Sequence, residues 1–309
     1  MPNSLQLATE KPHLAELSPG RAYAYLQPRG GWCVSNAGVL IGDDSVLLID
    51  CTATEASARR LQEHVASITP KPVKSVIFTH HHGDHHYGAS AFAPAATLIS
   101  QRNTRDIMLR DGTDLLTLWP DAGWGEVQLS PPAITFEERL TLHVGDMEAE
   151  LIHLGPAHTN GDAAVWLPEQ RILYAGDLTF ADATPFILMG SVAGALQVLR
   201  QLKDLDPEIV VSGHGPVRGP EVLDTNIAYL QWLHELAHEG LHAGRTPLET
   251  ALRADLGPFQ QLAEAERLVG NLHRAYAELQ SDTFQELPVP AILADMIAFN
   301  GGRPIPCTV

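Results

Sequence analysis

The hydrophobic positions between residues 38 and 79 fall into short runs that are separated by turn residues. The segment GVLIGDDSVLLID has two apolar runs on either side of Gly42-Asp43-Asp44, which is typical of a β-hairpin. Further along the chain, the apolar run VKSVIFT predicts a buried strand. Residues 1–30 are more polar, with scattered apolar positions, and predict an edge strand or an extended lead-in.

Between the hairpin and the buried strand, the apolar spacing becomes that of an amphipathic helix. Thr52-Ala53-Thr54-Glu55 has the spacing of a capping box, and Leu61, Val65 and Ile68 form one apolar stripe. The prolines at positions 70 and 72 predict the end of this helix. An order of hairpin, helix and strand indicates a fold in which helices are layered on sheets.

A similar pattern recurs in the second half of the chain. Residues 163–177, AAVWLPEQRILYAGD, contain two apolar runs around Pro168-Glu169-Gln170. This segment ends in Asp177, as the first hairpin ends in Asp50. Each half therefore predicts a sheet that meets a helical layer, and the pattern is consistent with an internal duplication.

Residues 101–135 separate the two halves and are rich in Pro, Gly and Trp. A connection of this length without periodicity is usually a functional loop or a lid. Aromatic and sulfur-bearing side chains in and beyond it predict an apolar pocket beside the candidate chemistry: Trp119, Trp124, Phe180, Phe186 and Met189. Core packing is an equal alternative for Phe186 and Met189.

The composition becomes helical after residue 220. The spacing predicts three helices, near residues 221–240, 247–256 and 258–280. We expect a catalytic α/β unit over residues 20–220 and a C-terminal helical extension over residues 221–309 that packs on it.

The overall charge narrows the class of partner. The chain has 309 residues, with 20 Lys and Arg against 37 Asp and Glu, and a formal net charge of −17. Nucleic acids and anionic membranes bind basic surfaces, so neither is an expected partner. No apolar run is long enough for a membrane span, and the N-terminus lacks the pattern of a secretion signal. With three widely spaced cysteines (Cys33, Cys51 and Cys307), these features predict a cytoplasmic protein without a disulfide framework.

Histidines are concentrated at the end of the buried strand. The segment THHHGDHH, residues 79–86, follows the strand directly, so its side chains emerge at an edge of the sheet. His80 and His82 can converge on one ion, while Asp84 and His85 can point to a second, since zinc prefers imidazole nitrogen and carboxylate oxygen. A solvated polyhistidine patch is the alternative, which Gly83 and the preceding apolar strand disfavour.

Three further junctions between strands and loops have the same character. They place His158 in AELIHLGPAHTNGD, Asp177 in RILYAGD and His214 in EIVVSGHGP. A lone histidine after a strand is more often a hydrogen-bonded turn residue than a metal ligand. Four such junctions that all end in His or Asp indicate a shared metal site.

These segments together resemble the metallo-β-lactamase superfamily, whose signature is THxHxDH followed by single His, Asp and His ligands. The resemblance covers residues from about 30 to 220 and implies an α/β fold, the four-layer αββα sandwich of two pseudo-symmetric halves. It implies one metal on His80, His82 and His158, a second on Asp84, His85 and His214, and Asp177 bridging the two. Two zinc ions per chain are expected, with iron and manganese as alternatives.

Asp177 narrows this resemblance to a subgroup. β-Lactamases of the family with a thiolate ligand carry cysteine at this position, whereas a bridging aspartate is typical of glyoxalase II, lactonases and small-molecule thioesterases or esterases. The resemblance therefore implies a dinuclear zinc hydrolase whose metal-bridging hydroxide attacks a small ester, lactone, thioester or amide. Asp84 and Asp177 are the expected catalytic carboxylates, and Asp84 is expected to pass a proton to the leaving group.

Residues next to these positions have supporting roles in this interpretation. Thr79 and Asp50 are expected to orient imidazoles, with ordinary hydrogen bonding at a strand end as the alternative. His81 and His86 are expected to lie behind the ligands or in solvent. Cys51 is expected to be a small buried residue.

Other activities stay open on the sequence alone. They are a mononuclear iron oxygenase of the persulfide dioxygenase type, a polyketide-type thioesterase or cyclase, and a β-lactamase. A non-catalytic binding protein is disfavoured, because seven intact ligands are not needed for packing. The expected partner is a small molecule that is partly apolar and carries a carbonyl group, and a homo-oligomer is left open.

Overall fold

The computed structural model describes residues 11–28, 32–93, 95–281 and 283–309. Its first sheet has seven strands that pair in chain order. They are β1 (His13–Ser18), β2 (Ala22–Leu26), β3 (Ala37–Ile41), β4 (Val46–Ile49), β5 (Val73–Phe78), β6 (Thr97–Gln101) and β7 (Ile134–Phe136). Strands β1 to β4 are antiparallel, and the pairs from β4 to β7 are parallel.

A second, mixed sheet of five strands has the order β12-β11-β10-β9-β8. Its strands are β8 (Arg139–Val144), β9 (Met147–Ile152), β10 (Ala164–Leu167), β11 (Ile172–Phe180) and β12 (Ile209–His214). Only β11 and β12 pair in parallel in this sheet.

The described helices surround these sheets. They are α1 (Glu55–Ile68), α2 (Gly83–His86), α3 (Arg102–Asp111), α4 (Leu115–Leu118), α5 (Val192–Asp204), α6 (Glu221–His242), α7 (Pro247–Arg253), α8 (Arg267–Gln280) and α9 (Val289–Phe299). None of the helices in the described ranges combines the length and apolar character that a membrane span requires.

Three apolar clusters explain how the layers adhere. One lies between the facing sheets and contains side chains such as Leu40, Ile77 and Val165. A second packs α1 and α3 on the outer face of the first sheet, and a third packs α5, α6, α8 and α9 on the outer face of the second. The predicted α/β arrangement of two facing sheets with helices outside, and a helical C-terminal part, is therefore confirmed.

The first half follows the sequence pattern closely. The predicted hairpin forms between β3 and β4, the run VKSVIFT forms β5, and β1 is an edge strand. Residues 1–10, 29 and 30 of the predicted lead-in lie outside the described residues. The cap of α1 differs from the prediction, because Thr54 and Ser57, not Thr52 and Glu55, exchange the capping-box hydrogen bonds.

The apolar stripe of α1 is shorter than predicted. Leu61 and Val65 are buried against the sheet, whereas Ile68 is 38% exposed. The helix ends there with Thr69 as its cap, immediately before the two prolines. Ile68 therefore lies beyond the edge of the sheet that the other two side chains cover.

The segment 101–135 is not the irregular loop that its composition suggested. It contains α3 and α4, and α3 is an amphipathic helix that buries Thr104 and Met108. The Pro- and Trp-rich residues on which the loop prediction was based all follow α4.

The C-terminal helices confirm the helical composition but not all the bounds. The third predicted helix begins at Arg267, after a short 3₁₀ turn at Gly257–Phe259, and not at residue 258. Helix α9 was not predicted, because the prolines at positions 288 and 290 interrupt the helical spacing; proline is tolerated in the first turn of a helix.

Candidate metal centre

The side chains of the candidate site meet where the strands of both sheets end. His80 and His82 follow β5, and Asp84 and His85 lie on the single turn α2. The second sheet and its loops contribute the remaining donors, His158 before β10, Asp177 in β11 and His214 at the end of β12. Residues distant in the sequence are thus brought together by the facing of the two sheets.

Nitrogen and oxygen donors form two adjacent groups here. The first group is His80, His82, His158 and Asp177, and the second is Asp84, His85 and His214. Within each group, one donor atom from every residue lies within 4.8 Å of the others. The two groups are consistent with a dinuclear metal centre made of imidazole and carboxylate donors.

Asp177 lies between the two groups. Its Oδ2 atom is 3.5 Å from His158 Nε2 and 3.3 Å from His214 Nε2, while its Oδ1 atom is 3.2 Å from His85 Nε2. Gly213 provides the space, since a Cβ atom at that position would lie 1.9 Å from Asp177 Oδ1. One carboxylate therefore faces donors of both groups.

The position of Asp177 within its strand differs from the prediction. The sequence placed it at a strand end, but β11 continues to Phe180. The ladder between β11 and β12 shifts register at Gly176, whose φ of 52° lies in the left-handed region. This irregularity interrupts the pairing and turns the following side chain into the site.

Buried atoms without hydrogen bonds test whether these residues fit a metal. His80 Nε2, His85 Nε2 and Asp177 Oδ1 are fully buried and make no hydrogen bond to any described residue; the last two lie 3.2 Å apart but are not aligned for one. Buried polar atoms are almost always hydrogen-bonded, so such a concentration at one point indicates a missing ligand. Lone pairs on imidazole nitrogen and carboxylate oxygen suit a divalent transition metal, and the donor set fits.

The remaining nitrogen of each imidazole is held from behind. Thr79 Oγ1 lies 3.0 Å from His80 Nδ1, and Asp50 Oδ2 lies 2.7 Å from His85 Nδ1. His158 Nδ1 bonds the carbonyl of Phe186, and His214 Nδ1 bonds the carbonyl of Val34. These contacts leave Nε2 of the four rings facing the centre. The supporting roles predicted for Thr79 and Asp50 are confirmed.

Asp50 has an unusual backbone conformation for this role. Its φ of 61° is in the left-handed region, which non-glycine residues rarely adopt. The carboxylate accepts hydrogen bonds from the backbone N–H and the hydroxyl of Thr79, both at 2.8 Å, as well as contacting His85. The strained residue thus ties the end of β4 to the start of the histidine segment.

His82 differs from the other imidazoles because its Nδ1 atom faces the centre. That nitrogen lies 2.9 Å from His158 Nε2, and its Nε2 atom lies 3.3 Å from Met189 Sδ. His81 and His86 are outside both groups. His86 Nε2 bonds the carbonyl of His81, so this pair braces the segment, as predicted for a position behind the ligands.

Electrostatics separates the carboxylates from the imidazoles around them. Burial disfavours the charged form of His214, but the carboxylates of Asp177 and Asp84 outweigh it and raise the pKa of His214 to about 9. Burial likewise opposes protonation of His85, and its carboxylate neighbours raise its pKa well above its ordinary value. Burial alone would raise the pKa of Asp84 and of Asp177. The imidazoles of His85 and His214 outweigh it and hold the pKa of both carboxyls below the usual range.

The other three imidazoles are biased toward the neutral form. Burial and the neighbouring His158 lower the pKa of His82 to about 3. Burial is also the largest cause that lowers the pKa of His80 and of His158. A neutral imidazole has the free lone pair that binds a metal ion.

Asp162 supports the site without having been singled out from the sequence. Its buried carboxylate accepts hydrogen bonds from the backbone N–H of Thr159, at 2.8 and 3.0 Å, and from the hydroxyl of the same residue. Burial raises its pKa to about 7. The Thr-x-x-Asp spacing after His158 was the available signal, because these residue types hydrogen-bond to nearby backbone.

Aromatic side chains cover the centre. Four of the five residues predicted to line an apolar pocket border a small cavity of about 60 Å³ at the metal groups: Trp119, Phe180, Phe186 and Met189. The prediction for Trp124 is wrong, because it is buried against Tyr87 and its indole N–H bonds the carbonyl of Trp119. Cys51 is fully buried, as predicted.

Trp32 and Arg267 are among the residues of this cavity that were not predicted. Trp32 lines it, and Arg267 stacks over the rings of Trp32 and Phe180 at 4.8 and 4.9 Å. Phe180 in turn stacks on His214 with an interplanar angle of 3°. An isolated tryptophan near the N-terminus and an arginine of a late helix carry no local motif, so only the fold brings them here.

Two known proteins with similar sequences match this chain over only part of their own length. The chain is 31% identical over 176 residues to the 2,4-dinitroanisole O-demethylase subunit alpha of Nocardioides sp. (strain JS1661), which covers 56% of this chain and 50% of that protein. It is 21% identical over 315 residues to the linear primary-alkylsulfatase of Pseudomonas sp. (strain ATCC 19151), covering 84% of this chain and 60% of that protein. The chain therefore spans only about half to three fifths of these two relatives.

β-Lactamases are also among the similar proteins. The type 2 metallo-beta-lactamase of Bacteroides fragilis is 25% identical over 209 residues, covering 65% of this chain and 78% of that protein. The solved structure of a metallo-beta-lactamase from Pontibacter korlensis shares the fold, with a TM-score of 0.62 and 19% identity over 72% of this chain and 99% of that chain. TMB-1 gives a TM-score of 0.59 with 21% identity, covering 72% and 98%.

The family model described as the metallo-beta-lactamase superfamily matches residues 30–214, a range that contains all seven donors of the two groups. Since this match covers more than half of the 309 residues, the chain belongs to the metallo-beta-lactamase superfamily.

Proposed function

We propose that the protein is a hydrolase that holds two zinc ions and cleaves a small ester, lactone, thioester or amide. The observation that carries this proposal is the Asp177 carboxylate, which faces His85 on one side and His158 on the other. An aspartate in this position would be able to supply an oxygen donor to each of two ions. It suits a pair of metals that activate water better than a single redox-active ion.

The two groups of donors would each hold one zinc ion. In this proposal the first ion is bound by His80, His82 and His158, the second by Asp84, His85 and His214, and Asp177 is shared. When bound, the pair supplies Lewis acidity for a carbonyl oxygen and lowers the pKa of water toward about 7. The chain's own residues then have to orient the substrate and to move a proton.

Asp84 is the group proposed to move this proton, and with Asp177 it is a catalytic residue. Its Oδ2 atom lies 3.4 Å from His214 Nε2 and 3.6 Å from His85 Nε2, and these imidazoles keep its carboxyl ionised. Its side chain retains 11% exposure, so it borders the cavity where a leaving group would depart. Asp84 can therefore accept a proton from water and donate it to the leaving atom.

The aromatic cover has a second role in this proposal. Trp119, Phe180 and Phe186 surround the small cavity and exclude bulk water from the reacting atoms. Exclusion of water strengthens the interaction between an electrophilic centre and a carbonyl oxygen. We infer a partly apolar small-molecule substrate from these walls. A cytoplasmic location and the absence of nucleic-acid or membrane partners remain part of the proposal, supported by the acidic charge and by cysteines that are all free.

A sulfate ester is the second candidate substrate. Similarity to the linear primary-alkylsulfatase covers 84% of this chain, beyond the 30–214 range of the family model. A β-lactam is less favoured, because Asp177 stands where the thiolate-bearing β-lactamases have cysteine. A carbonyl ester, a sulfate ester and a β-lactam would each bring a different reacting group to the same centre, so one set of assays distinguishes them.

The test combines metal content with a chromogenic panel. We expect about two zinc ions per chain by elemental analysis, and kcat/KM values for a lactone, a thioester or an aryl ester that exceed those for a cephalosporin and an aryl sulfate. One tightly held iron with no second ion after zinc addition would overturn the dinuclear proposal. Faster turnover of the cephalosporin or the sulfate would replace the substrate class.

Variants distinguish a catalytic metal from a structural one. His80→Ala should abolish turnover while the far-ultraviolet circular dichroism stays folded, because His80 follows the end of β5 and belongs to none of the three apolar clusters. His234→Ala is the matched control, since His234 is an exposed histidine of α6 remote from the two groups. Loss of folded signal in His80→Ala alone would mean that the metal is needed for folding.

A further inference from the structure

A cavity of about 500 Å³ lies beside the metal groups and is distinct from the small one at the donors. It shares His82 and Met189 with the metal site. Its walls are largely apolar and come from the α3–α4 segment and from the chain before α9, with Ile107, Leu115 and Leu287 among them. A volume of this size accommodates a small organic molecule.

Arg274 of α8 lines this cavity and is 1% exposed. Its Nε atom donates to the carbonyl of Leu188, and Nη2 donates to the carbonyl of Gln285, both at 2.9 Å. The guanidinium also stacks over the ring of Phe284 at 4.5 Å. Nη1 donates to no residue in the described ranges, and no carboxylate there makes an ion pair with Arg274.

Glu278 is the acidic neighbour on the same helix. Its carboxylate accepts hydrogen bonds from the backbone N–H groups of Val192 and Ala193 and so caps α5. Burial lowers the pKa of Arg274, and the smaller opposing effect of the Glu278 carboxylate does not offset it. A nearly fully buried charge whose hydrogen-bond acceptors are neutral carbonyls, and whose acidic neighbour is engaged elsewhere, is costly to maintain without a counter-ion in contact with it.

The other arginines near the site already have carboxylate partners. Arg110, at the exposed rim of the large cavity, pairs with Asp111 at 2.5 Å and with Glu286 at 2.7 Å. Arg267, at the small cavity, pairs with Glu264 at 2.6 Å. Arg274 is thus distinguished from its neighbours by the absence of such a partner among the described residues.

The chain also links Arg274 directly to the metal groups. The carbonyl that accepts from its Nε belongs to Leu188, and the next residue, Met189, contacts His82. Arg274 therefore lies in the wall of a cavity that borders the metal groups.

We propose that this cavity of about 500 Å³ holds the body of the substrate. Arg274 then binds a carboxylate at the end of the substrate that lies away from the reacting carbonyl. The proposal rests on the proposed function and narrows it to substrates with an apolar body and an anionic end. Planar guanidinium groups match carboxylates in geometry, and a charge-assisted hydrogen bond in a buried site is strong. The acidic rim residue Asp114 is exposed, so it lies where solvent screens it.

Turnover tests this with two esters of equal length. Mono-4-nitrophenyl adipate carries a free carboxylate, and 4-nitrophenyl hexanoate lacks it. Relative to the neutral ester, Arg274→Gln should lower kcat/KM for the charged ester about 10-fold or more, and Arg274→Lys should lower it less. Arg59→Gln is the matched control, because Arg59 is an exposed arginine of α1 that pairs with Glu55 and lines neither cavity, so the ratio should stay unchanged. An equal ratio in wild type and Arg274→Gln would overturn the proposal.

Binding provides a readout that does not depend on turnover. Calorimetric titration of the zinc-loaded protein with octanoate and octanamide should show an octanoate affinity that falls about 10-fold in Arg274→Gln, with that of octanamide unchanged. Octanoate held by zinc alone would bind both proteins equally, which counts against the proposal. Loss of octanoate binding in a protein that hydrolyses none of the esters would support the anion site and reject the hydrolase.

Folding of the variants is checked by circular dichroism and zinc content. If Arg274→Gln does not fold, Arg274→Lys decides, because loss of the planar guanidinium should weaken octanoate binding and leave octanamide binding unchanged, whereas octanoate held by zinc alone would bind this variant like the wild type. A wild-type protein that does not distinguish the two would mean that Arg274 only ties α8 to its neighbouring loops.

Discussion

Four of the five imidazole rings at the candidate centre are held by an oxygen atom that contacts the nitrogen facing away from it. A side chain holds two of them, Thr79 behind His80 and Asp50 behind His85. Main-chain carbonyls hold His158 and His214. Such contacts determine the tautomer and the orientation of a metal-binding ring, and metal affinity depends on them by about 10- to 100-fold.

The side chains that hold imidazoles could be predicted from the sequence, whereas the main-chain carbonyls that do so could not. Thr79 and Asp50 were predicted because both are polar residues at strand ends next to the histidine segment. The carbonyls of Phe186 and Val34 were not predicted, since every residue has a carbonyl and only the fold determines which one reaches an imidazole. The seven donors themselves could be predicted because each is a His or an Asp near the end of a predicted strand, in the order of the motif that the sequence resembles.

At this scale the decisive residue is Asp177. Replacing it with Asn keeps its shape but removes the charge that faces both groups of donors, and an amide is a poor bridging ligand. We expect zinc content to fall from about two ions per chain to about one, and kcat/KM to fall about 100-fold or more, with partial recovery in excess zinc. Elemental analysis and zinc titration of the activity measure this.

Asp177→Cys is the companion variant, because thiolate is a good zinc ligand. It should retain more metal than the Asn variant while its rate changes. If Asp177 only stabilised a turn, Asn would serve equally well, and the Asn variant would keep both its metal and its activity.

Helix α8 shows how an element far along the chain can position the centre. Three side chains on one face of α8, at positions 267, 271 and 274, hydrogen-bond to the backbone of residues 184–188. Asn271 accepts from Ile187 N and donates to the carbonyl of Pro185. These two residues flank Phe186, whose carbonyl holds His158.

The spacing of these side chains could not be interpreted from the sequence. Positions i, i+4 and i+7 lie on one helix face, and polar residues there normally indicate the solvent side. In this helix the same positions are buried, because they satisfy the backbone of a loop that has no strand partner. The helical composition was predictable, whereas the direction of its polar face depended on the tertiary contact.

Asn271 should therefore be a positioning residue for His158. We expect Asn271→Leu to lower the free energy of unfolding by about 2–4 kcal/mol, since it leaves buried backbone groups without partners, and also to weaken zinc binding about 10-fold or more. Denaturant unfolding of the metal-free protein and competition with a zinc chelator measure the two effects separately.

Tyr276→Phe is the control on the same helix. It removes the buried hydrogen bond between the hydroxyls of Tyr276 and Thr250, 2.7 Å apart, which does not contact the 184–188 segment. It should lower stability by about 1 kcal/mol and leave zinc affinity unchanged. An Asn271→Leu protein that loses stability but binds zinc like the wild type would show that its role is only structural.

For the whole molecule, the arrangement of two sheets was the most predictable feature. Two hairpins that each end in an aspartate indicated two similar halves, and both sheets are present. The two aspartates nevertheless differ in role, because Asp50 lies behind His85 while Asp177 faces the donors. The large cavity was not predictable, since α3, α4 and the chain before α9 build it from segments whose composition suggested loops.

The position of the donors across this architecture predicts how metal affects stability. His80, His82, Asp84 and His85 lie directly after β5 of the first sheet, whereas His158, Asp177 and His214 belong to the second sheet and its loops. Bound ions would join the two halves of the sandwich, and without them two carboxylates and five imidazoles remain crowded in a buried space. A ligand that binds only the folded state stabilises it by about 4 kcal/mol when present at 1,000 times its Kd.

Removal of metal should therefore lower the melting temperature by about 5–10 °C while the far-ultraviolet circular dichroism at room temperature stays native. The native signal is expected because the three apolar clusters contain no metal donor and hold the sheets together by themselves. Dialysis against a chelator, with elemental analysis to verify that the metal is gone, and calorimetry before and after zinc is restored give the shift. His80→Ala should show a smaller shift, and His234→Ala the full one, because only the first removes a donor. An unchanged melting temperature in protein shown to be free of metal would mean that the ions do not join the two halves, and that the centre is preformed by the scaffold alone.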